Sequence, residues 1–332
     1  MHILIANRSP IPVFAYGGTE RVIWDLGREL TKLGHKITYL VPEGSYCDFA
    51  EIVPYNRKKP FKAQIPRGPD VVHFQYTPDF DADHDFDTPY IMTEHANVGG
   101  HGDAARRYLN TVFISQDHAR RHNSNQFVYN GMDWDSYGPV DLERARTHYH
   151  FLAKASRAVK NLAGAVAVAA EAREKLAVLG GHRLSVNRGL RFTWSRAAQF
   201  YGMVGGAKKF ELLNNSRGLI FPVRWHEPFG LAIIESQYFG APVFGTTYGS
   251  LPELVPSDVG FLSNSCHELA EAVSRNKFNA RTCHLFAKDN FNSALMAKRY
   301  LELYERVIAG EKLNKTAPFL SVQSLDLLPW NA

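Results

Sequence analysis

GLIFPVRWHEPFGLAIIESQYFGAPVFG, residues 218–245, changes its hydrophobic period twice within one short span. Gly218–Phe221 is a compact apolar run of strand type, and the residues after it form a loop rich in proline. A helix is predicted from about Gly230 to Phe239, stopped by Gly240, and PVFG (Pro242–Gly245) supplies the next strand. Strand, helix and strand in that order require a crossover between parallel strands.

The same alternation extends outward in both directions. His2–Ala6 (HILIA) reads as a strand, Asn7–Gly18 as a loop, and Thr19–Leu33 as a helix with Val22, Ile23, Leu26, Leu30 and Leu33 at helical spacing, ended by Gly34. ITYLV (Ile37–Val41), DVVHF (Asp70–Phe74), YIMT (Tyr90–Thr93), TVFIS (Thr111–Ser115) and QFVY (Gln126–Tyr129) follow as strands. The charged stretch DLERARTHYH (residues 141–150) is the expected connection between two domains. The second half restarts at His150–Ala153, continues into an alanine-rich helix from about Asn161 to Val178, and closes with a long helix, Asp289–Ile308. The expected organisation is an α/β protein with one domain over 1–140, completed by the terminal helix at 289–309, a second over 148–285, and a peripheral tail at 311–332.

Composition is consistent with this. A chain of 332 residues with 45% hydrophobic content can bury two cores, and 21% charged residues exclude wholesale disorder. Cys47, Cys266 and Cys283 are far apart and lack metal-site spacing, which fits a reducing compartment. The N-terminus is too short in apolar residues for a signal peptide and no stretch reaches bilayer length, so a cytoplasmic protein is expected, with peripheral contact at the inner membrane face allowed. The net charge of +5 suits an anionic partner without choosing one. The basic segment NRKKPFKAQIPR (residues 56–67) reads as a solvated loop against a membrane-facing alternative, and it lacks the aromatic interleaving of a nucleic-acid surface.

The stretch that carries chemistry is HEPFGLAIIE, in which seven residues separate Glu227 from Glu235. Glu227 lies in the loop after a strand, and Glu235 lies about one and a half turns into the following helix, so both carboxylates can flank a ligand resting on the helix start. There the turn Pro228–Leu231 would offer the amides of Phe229, Gly230 and Leu231 to a phosphate or sugar oxygen. The plain alternative is a capping Glu227 and a solvated Glu235.

The whole ordered pattern resembles retaining glycosyltransferase family 4. The segment from Glu227 through GAPVFGTTYGSLPELV to GFL matches the family's donor-site segment, and YGGTERVIWDLGRELTKLGHKI, GPDVVHFQY, IMTEHAN, VFIS, VYNGMD and FLAKASRAVKNL follow the family's other landmarks over about residues 1–305. The resemblance implies the GT-B fold, two Rossmann-like domains facing each other across a cleft. It also implies that Glu227 binds sugar hydroxyls and Glu235 the ribose. Lys160, with either Lys154 or Arg157, would hold the diphosphate. Gly17 and Gly18 would form the loop near the β-phosphate, and His95 would lie near the transferred sugar. Arg224 stands where the family often has a small residue and would add a positive charge beside the diphosphate or reach across the cleft, and NRG (187–189) replaces a glycine-rich turn.

The implied reaction is metal-independent, retaining transfer from a UDP- or GDP-linked sugar to a carbohydrate or glycolipid hydroxyl, in polysaccharide, lipopolysaccharide or glycolipid assembly. The sugar nucleotide is a substrate, and no cofactor is expected. DFDADHDFD (residues 79–87) contains overlapping DxD patterns but lies in the first domain, away from the donor segment, and is expected to be a surface loop. Two rivals stand beside this reading. One is a catalytically silent sugar-nucleotide binder of the same fold. The other is an NAD-dependent oxidoreductase, against which YGGTER argues because it is not GxGxxG.

Overall fold

The structure is a computed structural model that describes residues 1–12, 18–56, 58–97, 108–185, 191–192, 195–320 and 327–332. Gly17, Arg57 and residues 187–189 lie outside that set. The chain forms two units. One runs to Trp134 and regains a segment from Phe291, and the other holds Asp135–Asn290 with the last residues of the chain.

The first unit contains β1 (His2–Ala6), α1 (Gly18–Lys32), β2 (Lys36–Pro42), β3 (Glu51–Tyr55), β4 (Val71–Phe74), β5 (Tyr90–Glu94), β6 (Thr111–Phe113) and α2 (Gln116–Arg121). Its strands are all parallel, in the order β3-β2-β1-β4-β5-β6. Ile3, Leu4, Ile5 and Ala6 are all buried, as a parallel strand covered on both faces demands. α1 seats Val22, Ile23, Leu26 and Leu30 on the sheet, and Tyr39 donates its hydroxyl to the Ile23 carbonyl at 3.1 Å. Gly27 permits that approach, since a Cβ there would fall 1.9 Å from the tyrosine oxygen.

Two readings change. QFVY is not a strand of this sheet, and Phe127 makes only an isolated bridge to Phe113. Glu51–Tyr55 is the edge strand β3, hidden from periodicity because it is largely unburied and carries Pro54, which an edge position tolerates.

The second unit comprises β7 (His148–Leu152), α3 (Leu162–Glu171), β8 (Leu176–Leu179), β9 (Leu184–Ser185), β10 (Arg191–Phe192), β11 (Ala198–Phe200), α4 (Gly206–Asn214), β12 (Ser216–Phe221), α5 (Leu231–Tyr238), β13 (Val243–Gly245), α6 (Leu251–Leu254), β14 (Gly260–Leu262), α7 (Cys266–Arg275) and α8 (Ala280–Asn290). Its six-stranded sheet is also parallel, in the order β11-β8-β7-β12-β13-β14, the same permutation as in the first unit. The strand β7 takes His148–His150 out of the stretch read as connection. The alanine-rich helix stops at Glu171 rather than Val178, because Arg173 adopts a left-handed φ of 57° and Leu176–Leu179 become a fully buried strand.

The last helix, α9 (Ser293–Ile308), belongs to the first unit and packs against α1, β4 and β5. It starts at its cap Asn292, whose side chain accepts the Leu295 amide at 2.8 Å, so Asp289 lies in the last turn of α8 instead. The stretch just after Gly310 is not peripheral. Leu313 and Asn314 are buried, and the Asn314 amide donates to the Leu109 and Thr111 carbonyls, both at 2.9 Å. Further on, Asn331 pairs with Asn264 and Cys266 of the second unit through its backbone.

Buried rings couple this fold to pH. Desolvation lowers His73 and His150 to about 3 and His95 to about 4, while it raises Asp25 to about 7. As pH falls from 6.5 to 5 the unfolded chain protonates the three histidines while its aspartate stays ionised, so net proton uptake on unfolding grows to about two near pH 5. Stability should therefore fall as pH drops from about 6.5 to 5, and a chemical-denaturation midpoint that stays flat across that interval would contradict it.

Candidate functional site

A doubly wound sheet opens a crevice at the carboxyl ends of the two neighbouring strands whose crossovers leave in opposite directions. In the second unit those strands are β7 and β12. The loop after β7 carries Lys154, Arg157 and Lys160, and the loop after β12 carries Arg224, Trp225 and Glu227. Two bonds stitch the loops together: the Arg224 amide donates to the Val159 carbonyl at 2.8 Å, and the Asn161 side chain donates to the Pro222 carbonyl at 2.9 Å. Asn161 itself sits in a left-handed conformation and caps α3 by accepting the Gly164 amide, which turns Lys160 back toward β12.

Lys160 and Glu227 consequently form a direct ion pair through Nζ and Oε2. Their side chains are only 12% and 7% exposed, so neither charge is well hydrated. Desolvation lowers the Lys160 pKa, the Glu227 carboxylate opposes that shift, and the nearby Arg157 adds to the lowering. The Trp225 indole N–H donates to the same Glu227 oxygen at 2.8 Å. Its ring also receives the Lys160 ammonium at 4.8 Å and the Arg157 guanidinium at 4.9 Å, within cation–π range. Arg157 thus shares the Trp225 ring with Lys160, and Lys154 is exposed on the same loop.

The turn after Glu227 is held from behind. Gly249, at φ +65°, lies so close that a Cβ would fall 2.2 Å from the Glu227 nitrogen. The Ser250 amide donates to the Glu227 carbonyl at 2.9 Å, and its hydroxyl donates to the Phe229 carbonyl at 2.6 Å. Pro228 and the Phe229 ring are buried, so a ligand would meet this turn through its backbone. Gly230 is the left-handed cap at φ +89°, from which Leu231 opens α5.

Glu235 is 3% exposed, and its Oε1 accepts the Tyr137 hydroxyl at 2.6 Å and the Lys209 ammonium at 2.7 Å. The solvated-glutamate alternative therefore fails. Sequence reading missed Lys209, Tyr137 and Trp225. A signal for Lys209 existed: in GAKKFELL it precedes the buried Leu212 and Leu213 by three and four positions, which puts it on the inward face of α4, whereas Lys208 is exposed and pairs with Glu211. Arg224, on the same loop as Trp225, donates from Nε to the Leu328 carbonyl at 2.8 Å.

In the first unit Gly18 opens α1, and His95 follows the carboxyl end of β5. His95 is half-buried, its Nε2 lies 2.7 Å from Oε1 of Gln75, and desolvation keeps its ring neutral at pH 7. The aspartate run is structural in part: Asp83 accepts the Tyr90 hydroxyl and the Leu109 amide, and Asp81 pairs with His84 at 3.1 Å. Among the described residues, no group of three His, Cys, Asp or Glu side chains is arranged to hold a metal ion. No helix among them is long and apolar enough to cross a membrane.

Comparison with known proteins agrees with this architecture. Residues 146–276 match the family described as Glycosyl transferases group 1. The crystal structure of AviGT4, a glycosyltransferase involved in avilamycin A biosynthesis, is similar with a TM-score of 0.75 at 19% identity, over 93% of this chain and 98% of that one. Anabaena HepE in complex with UDP-glucose is similar with a TM-score of 0.64 at 16% identity, over 92% and 99%. An uncharacterized 41.2 kDa protein in the cps region of Klebsiella pneumoniae is 28% identical over 114 residues, and the match spans about a third of each chain (32%). The two parallel α/β units thus have the GT-B fold of glycosyltransferases. The stretch that matches the group 1 family, residues 146–276, is the one that holds Lys160 and Glu227.

Proposed function

We propose that the protein transfers a sugar from a nucleotide-diphosphate donor to an acceptor hydroxyl, with retention at the anomeric carbon and without a metal ion. The observation that carries this reading is the convergence of Lys160, Glu227 and Arg157 around Trp225 at the switch point of the second unit. As the bond from C1 to the diphosphate breaks, negative charge grows on the leaving oxygen, and fixed cations there stabilise the transition state more than the ground state. Lys160 and Arg157 are the proposed cations. The acceptor oxygen bonds to C1 on the face the phosphate leaves, and its proton passes to the departing phosphate.

Glu227 holds Lys160 in place before the donor arrives and then takes sugar hydroxyls. Glu235, oriented by Tyr137 and Lys209, is the proposed ribose contact. The UDP-glucose bound by Anabaena HepE supports a uridine donor, and the cps-region relative supports a role in surface polysaccharide, lipopolysaccharide or glycolipid assembly. The exposed Lys58, Lys59, Lys62 and Arg67 suit peripheral contact with an anionic membrane, and the proposed location is cytoplasmic.

A thermal-shift screen with UDP, GDP, ADP and NAD, followed by transfer assays with and without chelator, tests the reading. UDP or GDP should raise Tm, and the product should keep the donor's anomeric configuration in chelator. Stabilisation by NAD alone would favour a dehydrogenase. Activity abolished by chelator and restored by Mn²⁺ would overturn metal independence.

A further inference from the structure

Behind His95 runs a chain of buried polar groups that the transfer chemistry above does not use. His95 Nε2 meets Gln75 Oε1 at 2.7 Å, and Gln75 Nε2 meets His73 Nε2 at 3.1 Å. His73 Nε2 also meets the Thr93 hydroxyl at 2.7 Å, His73 Nδ1 meets the Tyr304 hydroxyl at 2.7 Å, and Thr93 meets Tyr300 at 2.9 Å. His73 and Thr93 are fully buried, Gln75 is 7% exposed, and both tyrosines come from α9. Gln75 follows β4, one of the two switch-point strands of this unit, so the chain connects the carboxyl edge of the sheet to the helix packed on it.

An amide nitrogen only donates and an amide oxygen only accepts, so the orientation of one glutamine propagates in both directions. Gln75 Nε2 donates to His73 Nε2, which must then carry a lone pair. His73 therefore bears its proton on Nδ1 and donates it to Tyr304, while Thr93 donates to Nε2 and accepts from Tyr300. On the other side Gln75 Oε1 can only accept, so His95 carries its proton on Nε2. Its ring being neutral, Nδ1 is left with a lone pair.

We infer that Gln75 is a positioning residue that locks His95 in the Nε2–H tautomer, so that His95 acts through Nδ1 as a hydrogen-bond acceptor for a hydroxyl of the sugar or acceptor. The second half of this statement rests on the proposed transferase function; the first does not. A neutral acceptor orients a hydroxyl oxygen without removing its proton, consistent with the donor phosphate serving as base.

The tautomer can be read directly from a long-range proton–nitrogen correlation spectrum of the whole ¹⁵N-histidine-labelled protein, with the His95 signals identified by their loss in His95→Asn. Native protein should show His95 as the Nε2–H form and His73 as the Nδ1–H form. In Gln75→Met, which can neither donate nor accept strongly, His95 should lose its single tautomer. In Gln75→Glu, whose carboxylate still accepts from Nε2–H, His95 should keep it. An Nδ1–H form of His95 in the native protein overturns the inference, and so does a His95 spectrum unchanged in Gln75→Met. With transfer established, Gln75→Met should lose about tenfold in kcat, the scale of one neutral hydrogen bond, with little change in donor KM, and Gln75→Glu should recover most of it. Unaltered kcat in Gln75→Met overturns the functional half. The expected tautomers in a protein that moves no sugar would refute the transferase reading and leave the locking intact.

Discussion

Replacing Lys160 with alanine is expected to lower kcat for sugar transfer by about two to three orders of magnitude, the loss typical of removing one preorganised partner of developing charge. The ammonium is held over Trp225 by Glu227, so it needs no reorganisation when the diphosphate leaves. The substitution also strands Glu227, which keeps the Trp225 indole as a partner. Lys160→Ala/Glu227→Gln removes that unpaired charge and isolates its cost in stability: it should melt at higher denaturant than Lys160→Ala. A Lys160→Ala enzyme with the parent's kcat would show that the leaving group is stabilised elsewhere.

Lys209→Met is expected to destabilise the second unit by about 3–5 kcal/mol, since breaking a buried ion pair leaves an uncompensated charge in a medium that cannot solvate it. The side chains of Lys209 and Glu235 are 8% and 3% exposed, and the Tyr137 hydroxyl is a neutral donor that cannot balance the carboxylate. Lys209→Met/Glu235→Leu should recover most of the loss, because an apolar pair of similar volume avoids desolvation altogether. Urea titration followed by tryptophan fluorescence reports it. If the single variant melts with the parent, Glu235 is solvated after all, and its role as an oriented ribose contact falls with it.

Residues in sequence order carried much of this site. Glu227 was legible because it stands between a strand and a glycine-started helix, a context set by local hydrophobic period alone. Trp225 was not, because a tryptophan in a proline-rich loop looks like a solvent-facing residue until its neighbours are known, and Lys209 was legible only through its spacing from Leu212 and Leu213. The partner of Arg224 Nε could not be read locally for the same reason: it is the carbonyl of Leu328, far along the chain. The place of the aspartate run in the first domain separated it from the donor segment without any tertiary information.

The sequence by itself determined the alternation of strands and helices, the division into two α/β units and the chemical character of the loops, because each follows from short-range periodicity and from glycine and proline punctuation. Tertiary structure decided which buried charge is paired with which, where α3 yields to β8, and how Gln75 faces His95. Those outcomes depend on contacts between residues distant in the chain, where desolvation makes an unpaired polar group costly and leaves few arrangements open.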